Sequence, residues 1–353
     1  DVLPLRSSKN SKNRILVTGP NADNQSILGD WHSAQPDENV YTVFEGIKKI
    51  GNEMGYLVDY HDSNENIKRI SEKDINKTIE VANEYDVVVL VVGDNSMRYK
   101  WNQKTAGENT ARAELNLAGK QLELAMRLKE SGNNVIVVYV NGRPISEPWI
   151  SENINAIIEA WEPGSFGGLA VAEIIFGKIN PSGKLPLTVA RTVGQLKMFY
   201  NHKHSMYFRD YAMQTNKPLY SFGFGLSYTK FDISKPKLNS SKFKKGILSV
   251  SVNVKNIGET TGDEIVQLYI SDKYSSITRP VKELKAFRRV SLKPGESKDI
   301  VFELNKSAFA YYDSEMNYIV EAGDFDILVG NSSRDEDLKN LTFNVEKTFY
   351  IKD

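Results

Sequence analysis

The residues best suited to chemistry in this 353-residue chain fall between Thr105 and Leu115, TAGENTARAEL. Glu108 is a carboxyl able to give and take a proton. Gly107 beside it would let backbone approach closely, while Arg112 and Glu114 would pull its ionisation in opposite directions. The spacing also has a plainer reading. Thr105-Ala-Gly-Glu108 fits the S/T-x-x-E capping box, in which the carboxylate only ties down a helix start. Local chemistry alone favours the cap and leaves proton transfer open. Just upstream, GDNSMRYKWNQ (93–103) carries Tyr99 and Trp101 among polar residues. Their rings either present flat platforms to sugar or fold back onto the domain.

Other chemistries lack their residues. There is no cysteine, which excludes disulfides, thiolate zinc sites and cysteine nucleophiles. The four histidines, at 32, 61, 202 and 204, are thin material for a metal; His202 and His204 could chelate from a strand but read more simply as a solvated pair. RILVTG (14–19) runs into Pro-Asn-Ala-Asp, so no G-x-G-x-x-G turn follows it, and neither a P-loop nor a G-x-S-x-G elbow occurs. Lys plus Arg equals Asp plus Glu, at 45 each, so no net field draws the chain to nucleic acid or anionic lipid. No run approaches the roughly 20 apolar residues of a membrane span. The chain opens DVLPLRSSKNSKN, without methionine or an apolar signal core, so an upstream piece is expected.

The elements that must position Glu108 are those of an α/β domain. RILVTG (14–19), DVVVLVVG (86–93), NVIVVYVNG (134–142) and NAIIEAW (155–161) read as strands. Helical patterns at 40–51, 72–85, 116–132 and 167–177 lie between or after them, with Asn116 as the start of the third. Such alternation predicts a mostly parallel sheet covered on both faces, with ligands at the carboxyl ends of its strands. Glu108 falls in a strand-to-helix loop. From about residue 229 the pattern turns to period-two strands with turns such as Lys-Pro-Gly-Glu, which predicts an antiparallel sandwich. The expected domains are 1–228 and 241–353, with an irregular, aromatic connector from about 191 to 240.

The ordered strings RILVTGPNAD, GENTARAELNLAGKQ, NGRPISEPWI, EAWEPGSFGGLAVAEIIFGKINPSGKLPLT and PLYSFGFGLSYTKF, followed by VKNIGETTGDEIVQLYISD, RPVKELKAFRRVSLKPGES and GDFDILVGNSS, carry a resemblance. The chain resembles the two carboxyl-terminal domains of multidomain glycoside hydrolase family 3, the β-glucosidase and β-xylosidase family. The resemblance covers essentially the whole chain. It implies a roughly six-stranded α/β sandwich followed by a fibronectin type III-like β-sandwich. It also implies that Glu108, in the family's Gly-Glu-x-x-x-Arg pattern, is the general acid/base, with Tyr99, Trp101 and Arg112 on the substrate.

An aspartate nucleophile in a Ser-Asp-Trp context would come from an amino-terminal barrel that this sequence lacks. LGDWHS (28–33) is the nearest string, and Asp30 reads as a structural turn. The resemblance thus implies a retaining, exo-acting β-glycosidase, a β-glucosidase in particular, acting on a β-linked oligosaccharide or β-glucoside. It implies no metal or cofactor, no nucleic acid or membrane partner, and an inactive chain in isolation. It is compatible with a homo-oligomer, and with a periplasmic or secreted location ahead of a cytoplasmic one. The competing reading is a non-catalytic carbohydrate-binding or assembly module.

Overall fold

A computed structural model describes residues 2–6, 13–204, 209–240, 242–243 and 246–351. Ser241, the expected start of the second domain, and residues 7–12 of the opening segment lie outside them. The chain forms two compact units: Asp1–Ile179 with Arg191–Gly194, and Asn180–Ala190 with Gln195–Asp353.

The first unit is built on strands β1 (Arg14–Thr18), β2 (Leu57–His61), β3 (Val87–Gly93), β4 (Asn134–Val140) and β5 (Ala156–Glu159). They form a parallel sheet in the order β2-β1-β3-β4-β5. The sheet has five strands rather than about six, and β2 is one the sequence pattern passes over. Only Val58 of Leu57–His61 is buried, since β2 is an edge strand, so the segment lacks the continuous apolar run that marks the inner strands.

Helices α1 (Val43–Glu53), α2 (Glu72–Ala82), α3 (Gln121–Glu130), α4 (Pro148–Asn153) and α5 (Gly167–Ile175) cover the sheet. Because strand side chains alternate faces, Ile15, Val17, Val89 and Val91 join one core with Ile47 and Ile175. Leu16, Val88, Leu90 and Val92 join the other with Ile75 and Leu124. Capping boxes do start helices here, at Thr42/Glu45 for α1 and Ser71/Asp74 for α2.

The third helix starts at Gln121, not Asn116. Asn116 donates its side-chain amide to Ser146 O at 2.9 Å, and Leu117 N donates to Glu147 Oε1 at 2.8 Å. Gly119 then turns through a left-handed φ of 61°, which a continuing helix forbids. Tertiary partners therefore take the hydrogen bonds that a longer helix would have used.

In the second unit Glu283–Leu292, Gly262–Asp272, Gly323–Gly330 and Lys339–Val345 form one antiparallel sheet in that order. Ser297–Asn305, Ile247–Asn256 and Phe231–Ile233 form the second. Their inward residues, among them Val250, Val252, Leu268, Ile270, Phe302 and Phe325, make one core.

By contacts the two units part after Ile179, and residues 180–190 with the described residues of 195–228 cluster with the sandwich. Leu185 N donates to Phe224 O and Gly223 N to Leu185 O, at 2.9 and 2.8 Å. Asn180 accepts from Ser227 Oγ and Tyr228 N, both at 2.8 Å, and donates to Thr261 O at 3.0 Å. Asn180 is thus a bracket for this segment.

Candidate active site

β3 ends at Gly93 and feeds the loop that carries Glu108. The loop is pinned at its root. Gln121 accepts from Gly93 N and donates to Gly93 O, both at 2.9 Å, so the start of α3 is held against the carboxyl end of β3. Asp94, buried, takes the Arg143 guanidinium at 2.8 Å and the Thr105 hydroxyl at 3.1 Å. Thr105 also donates its N–H to Asn95 O at 2.8 Å and accepts from Asn95 N at 2.9 Å.

These contacts overturn the capping-box reading. Thr105 closes a loop onto Asp94 and Asn95, and no helix begins there. Glu108 lies in a turn in which Thr110 N donates to Gly107 O at 3.0 Å.

Asp30 organises what surrounds Glu108. One of its oxygens takes Arg98 Nε at 3.1 Å and Lys104 Nζ at 3.0 Å; the other accepts the Glu108 N–H. Lys104, a fully buried lysine, also donates to Glu108 O at 3.0 Å. The Glu108 backbone is therefore gripped on both its N–H and its carbonyl. Gly107 has a φ of 95°, and a Cβ there would meet Asp30 Oδ2 at 2.5 Å, so the grip requires glycine.

The Glu108 carboxylate is ion-paired with Arg98 Nη2, and its side chain is 45% exposed. Arg98 in turn lies 3.6 Å above the Trp31 ring. Asp30 is thus part of a turn, as its sequence context suggests, and also the anchor of the loop.

Of the residues expected on the substrate, Tyr99 and Trp101 belong to this cluster. Tyr99 meets His32 edge-on at 5.5 Å, and Trp101 lies under Lys104 Nζ at 4.8 Å. Both rings are exposed, at 41% and 49%. Arg112 is held elsewhere: its Nη2 donates to Asn116 O at 2.8 Å, a carbonyl shared with Arg143. Arg98, not Arg112, is the cation on Glu108. Nothing local marks it in the sequence, because Arg98 stands ten residues upstream of Glu108 and its second partner, Asp30, far earlier still.

Two more carboxyls stand at the ends of the strands. Glu162 accepts from Ser96 Oγ at 3.0 Å. Much of it is exposed, yet its carboxyl packs so close to Gly29 and Gly142 that a Cβ at either would come within 2.8 Å, and desolvation there raises its pKa. Glu159, at the end of β5, is pushed up to about 7 by burial, against hydrogen bonds from Trp161 N and Asn141. The folded state therefore holds this proton over a window, from the ordinary glutamate value to about 7, in which the unfolded chain releases it. Stability falls as pH rises through that window. Glu159→Gln is expected to be more stable than wild type at pH 8 and to converge with it near pH 4, measured by urea unfolding at both; equal offsets at the two pH values would refute the assignment. Among the described residues no group of three or more His, Asp and Glu side chains is placed to hold a metal ion.

Residues 1–228 match the glycosyl hydrolase family 3 C-terminal domain, and residues 264–333 match a fibronectin type III-like domain. The chain belongs to glycosyl hydrolase family 3. Over 358 residues it is 38% identical to a β-xylosidase of Formosa agariphila, covering 98% of this chain and 48% of that protein. It is 34% identical to a periplasmic β-glucosidase of Salmonella typhimurium, covering 94% and 46%.

Among solved structures, a mutant β-glucosidase from Listeria innocua in complex with laminaribiose superposes with a TM-score of 0.86 at 32% identity, covering 99% of this chain and 47% of that one. The family 3 fold expected from sequence, a parallel α/β domain followed by an antiparallel sandwich, is the fold observed. The family match continues past Ile179 to residue 228, so it includes the segment that clusters with the sandwich. The chain spans about half the length of the curated relatives it matches.

Proposed function

We propose that this chain is the carboxyl-terminal part of a retaining, exo-acting β-glycosidase and that Glu108 is its general acid/base. The observation that supports this most is the presentation of Glu108. Asp30 and Lys104 fix its backbone from both sides while its carboxyl stays accessible on a loop leaving the carboxyl edge of the sheet. Fixed backbone with an available carboxyl is what positioned proton transfer needs. The nucleophile, an aspartate by family resemblance, belongs to an amino-terminal barrel outside this sequence.

Retention requires the two carboxyls about 5 to 5.5 Å apart. The aspartate attacks the anomeric carbon as the glycosidic C–O bond breaks, and Glu108 gives its proton to the departing oxygen. Glu108, now a carboxylate, takes a proton from water while that water's oxygen attacks the anomeric carbon and releases the aspartate. Tyr99 and Trp101 flank the leaving-group side. Arg112 braces the loop through Asn116 and offers its remaining nitrogens to substrate hydroxyls.

The substrate class is a β-glucoside or β-linked oligosaccharide. Relatives named β-glucosidase, among them the Listeria innocua enzyme crystallised with laminaribiose as a mutant and also with glucose, support glucose as the sugar. No helix of the described residues is long and apolar enough to cross a membrane. A relative named as periplasmic supports a periplasmic or secreted location. The chain alone is expected to leave nitrophenyl β-glucoside unhydrolysed while the complete protein turns it over, because a proton donor without its nucleophile supplies little of the rate. Turnover by the 353-residue chain itself would sink the shared-site reading. Glycan binding by a complete protein that hydrolyses no aryl β-glycoside would make it a carbohydrate-binding or assembly module.

A further inference from the structure

We propose that Arg98 is a positioning residue that sets the protonation state of Glu108, and so fixes where on the pH scale the acid step fails. The inference rests on the reading of Glu108 as acid/base. Four charged groups form one connected set. Asp30 takes Arg98 Nε at 3.1 Å and Lys104 Nζ at 3.0 Å, and Arg98 Nη2 pairs with the Glu108 carboxylate.

With Glu108 ionised, the two carboxylates and two cations cancel; with Glu108 protonated, the set carries an excess positive charge. The set thus favours the carboxylate, which is the form that must activate water in the second step. The acid step works against the same pairing.

Geometry gives Arg98, rather than Lys104, this control. Lys104 Nζ is committed to Asp30 and to the backbone carbonyl of Glu108, so it holds the main chain. Arg98 alone among these groups touches the carboxyl itself. Its guanidinium is kept in place by the Trp31 face at 3.6 Å and by Asp30, so it cannot follow the carboxyl freely. The other charged groups on the loop are engaged away from this carboxyl or exposed: Asp94 pairs with Arg143 and Lys100 with Glu65, both at 2.8 Å, Arg112 donates to Asn116 O, and Glu114 is exposed. From other elements, Glu162 accepts from Ser96 Oγ, and His32 meets Tyr99 edge-on.

The test uses the complete protein and the pH dependence of kcat/KM on a β-glucoside with a poor leaving group. That profile reports the free enzyme, and its alkaline limb marks deprotonation of the acid. Removing a cation that favours the charged form makes the proton harder to lose, so Arg98→Met should carry the alkaline limb upward. With Glu108 partly exposed, the expected shift is about one pH unit, the lower end of the range for such pairs. Arg98→Lys, which keeps the charge, should leave the limb within a few tenths of wild type. If Arg98→Met fails to fold, Arg98→Gln removes the charge while keeping a hydrogen-bond donor.

An unmoved limb with uniformly lower kcat/KM would make Arg98 purely structural and overturn the proposal. An equal shift in the lysine variant would overturn it too, since charge would then not be the agent. The underlying reading fails on different data: Glu108→Ala losing activity equally on good and poor leaving groups would remove Glu108 as the acid whatever Arg98 does.

Discussion

Glu108→Ala in the complete protein is expected to lower kcat/KM for a disaccharide or alkyl β-glucoside by about 10² to 10⁴, the usual worth of a positioned proton donor. A dinitrophenyl β-glucoside, whose phenolate departs without protonation, should lose far less in the first step. For that substrate the glycosyl-enzyme should accumulate, because water has lost its base, and added azide should restore turnover by attacking without one. The substitution isolates the carboxyl well. Asp30 holds the N–H of residue 108 and Lys104 its carbonyl, and alanine keeps both groups. A loop that stays in place while only the carboxyl is gone should give this split between leaving groups. Equal loss on both substrates, with no response to azide, would mean that Glu108 maintains structure and that the proton comes from elsewhere.

The fold was legible because its inner strands are short, continuous apolar runs. DVVVLVVG and NVIVVYVNG admit little but buried parallel strands, and they are β3 and β4. β2 was not legible, since LVDYH sits at an edge and buries one residue fully. The start of α3 was misplaced for a related reason. Asn116 is a good cap by type, but Ser146 and Glu147, some thirty residues on, claim the groups that would have begun the helix.

The site follows the same pattern. Glu108, Tyr99 and Trp101 could be picked out by residue type within one loop. The cation on Glu108 could not, because Arg112 is the nearer one in sequence and Arg98 reaches it only through the fold. Thr105 and Glu108 satisfied the spacing of a capping box, yet Asp94 and Asn95 had already taken Thr105. Spacing identifies what a pair can do, and tertiary competition decides which of its options is used.

Lys104→Met should destabilise the protein by about 3 kcal/mol, the lower end of the cost of breaking a buried ion pair by removing one partner. The lower end applies because Asp30 is 13% exposed and keeps Arg98, while the lysine side chain itself is buried to within 1%. Methionine replaces the stem's packing without the charge, so the loss reports the Asp30 and Glu108 carbonyl contacts rather than a cavity. Urea unfolding of the chain would measure it.

A cycle with Asp30→Asn separates the contributions. If the ion pair is responsible, Lys104→Met should cost much less in the Asp30→Asn background, where no full negative charge is left behind. An undiminished cost there would assign the effect to the carbonyl contact alone. In the complete protein the same variant should also lower activity on poor leaving groups more than on dinitrophenyl glucoside, because the backbone that aims Glu108 would lose one of its two holds. Lost stability with an unchanged leaving-group pattern would separate Lys104 from the aim of Glu108 and leave it a role in folding only.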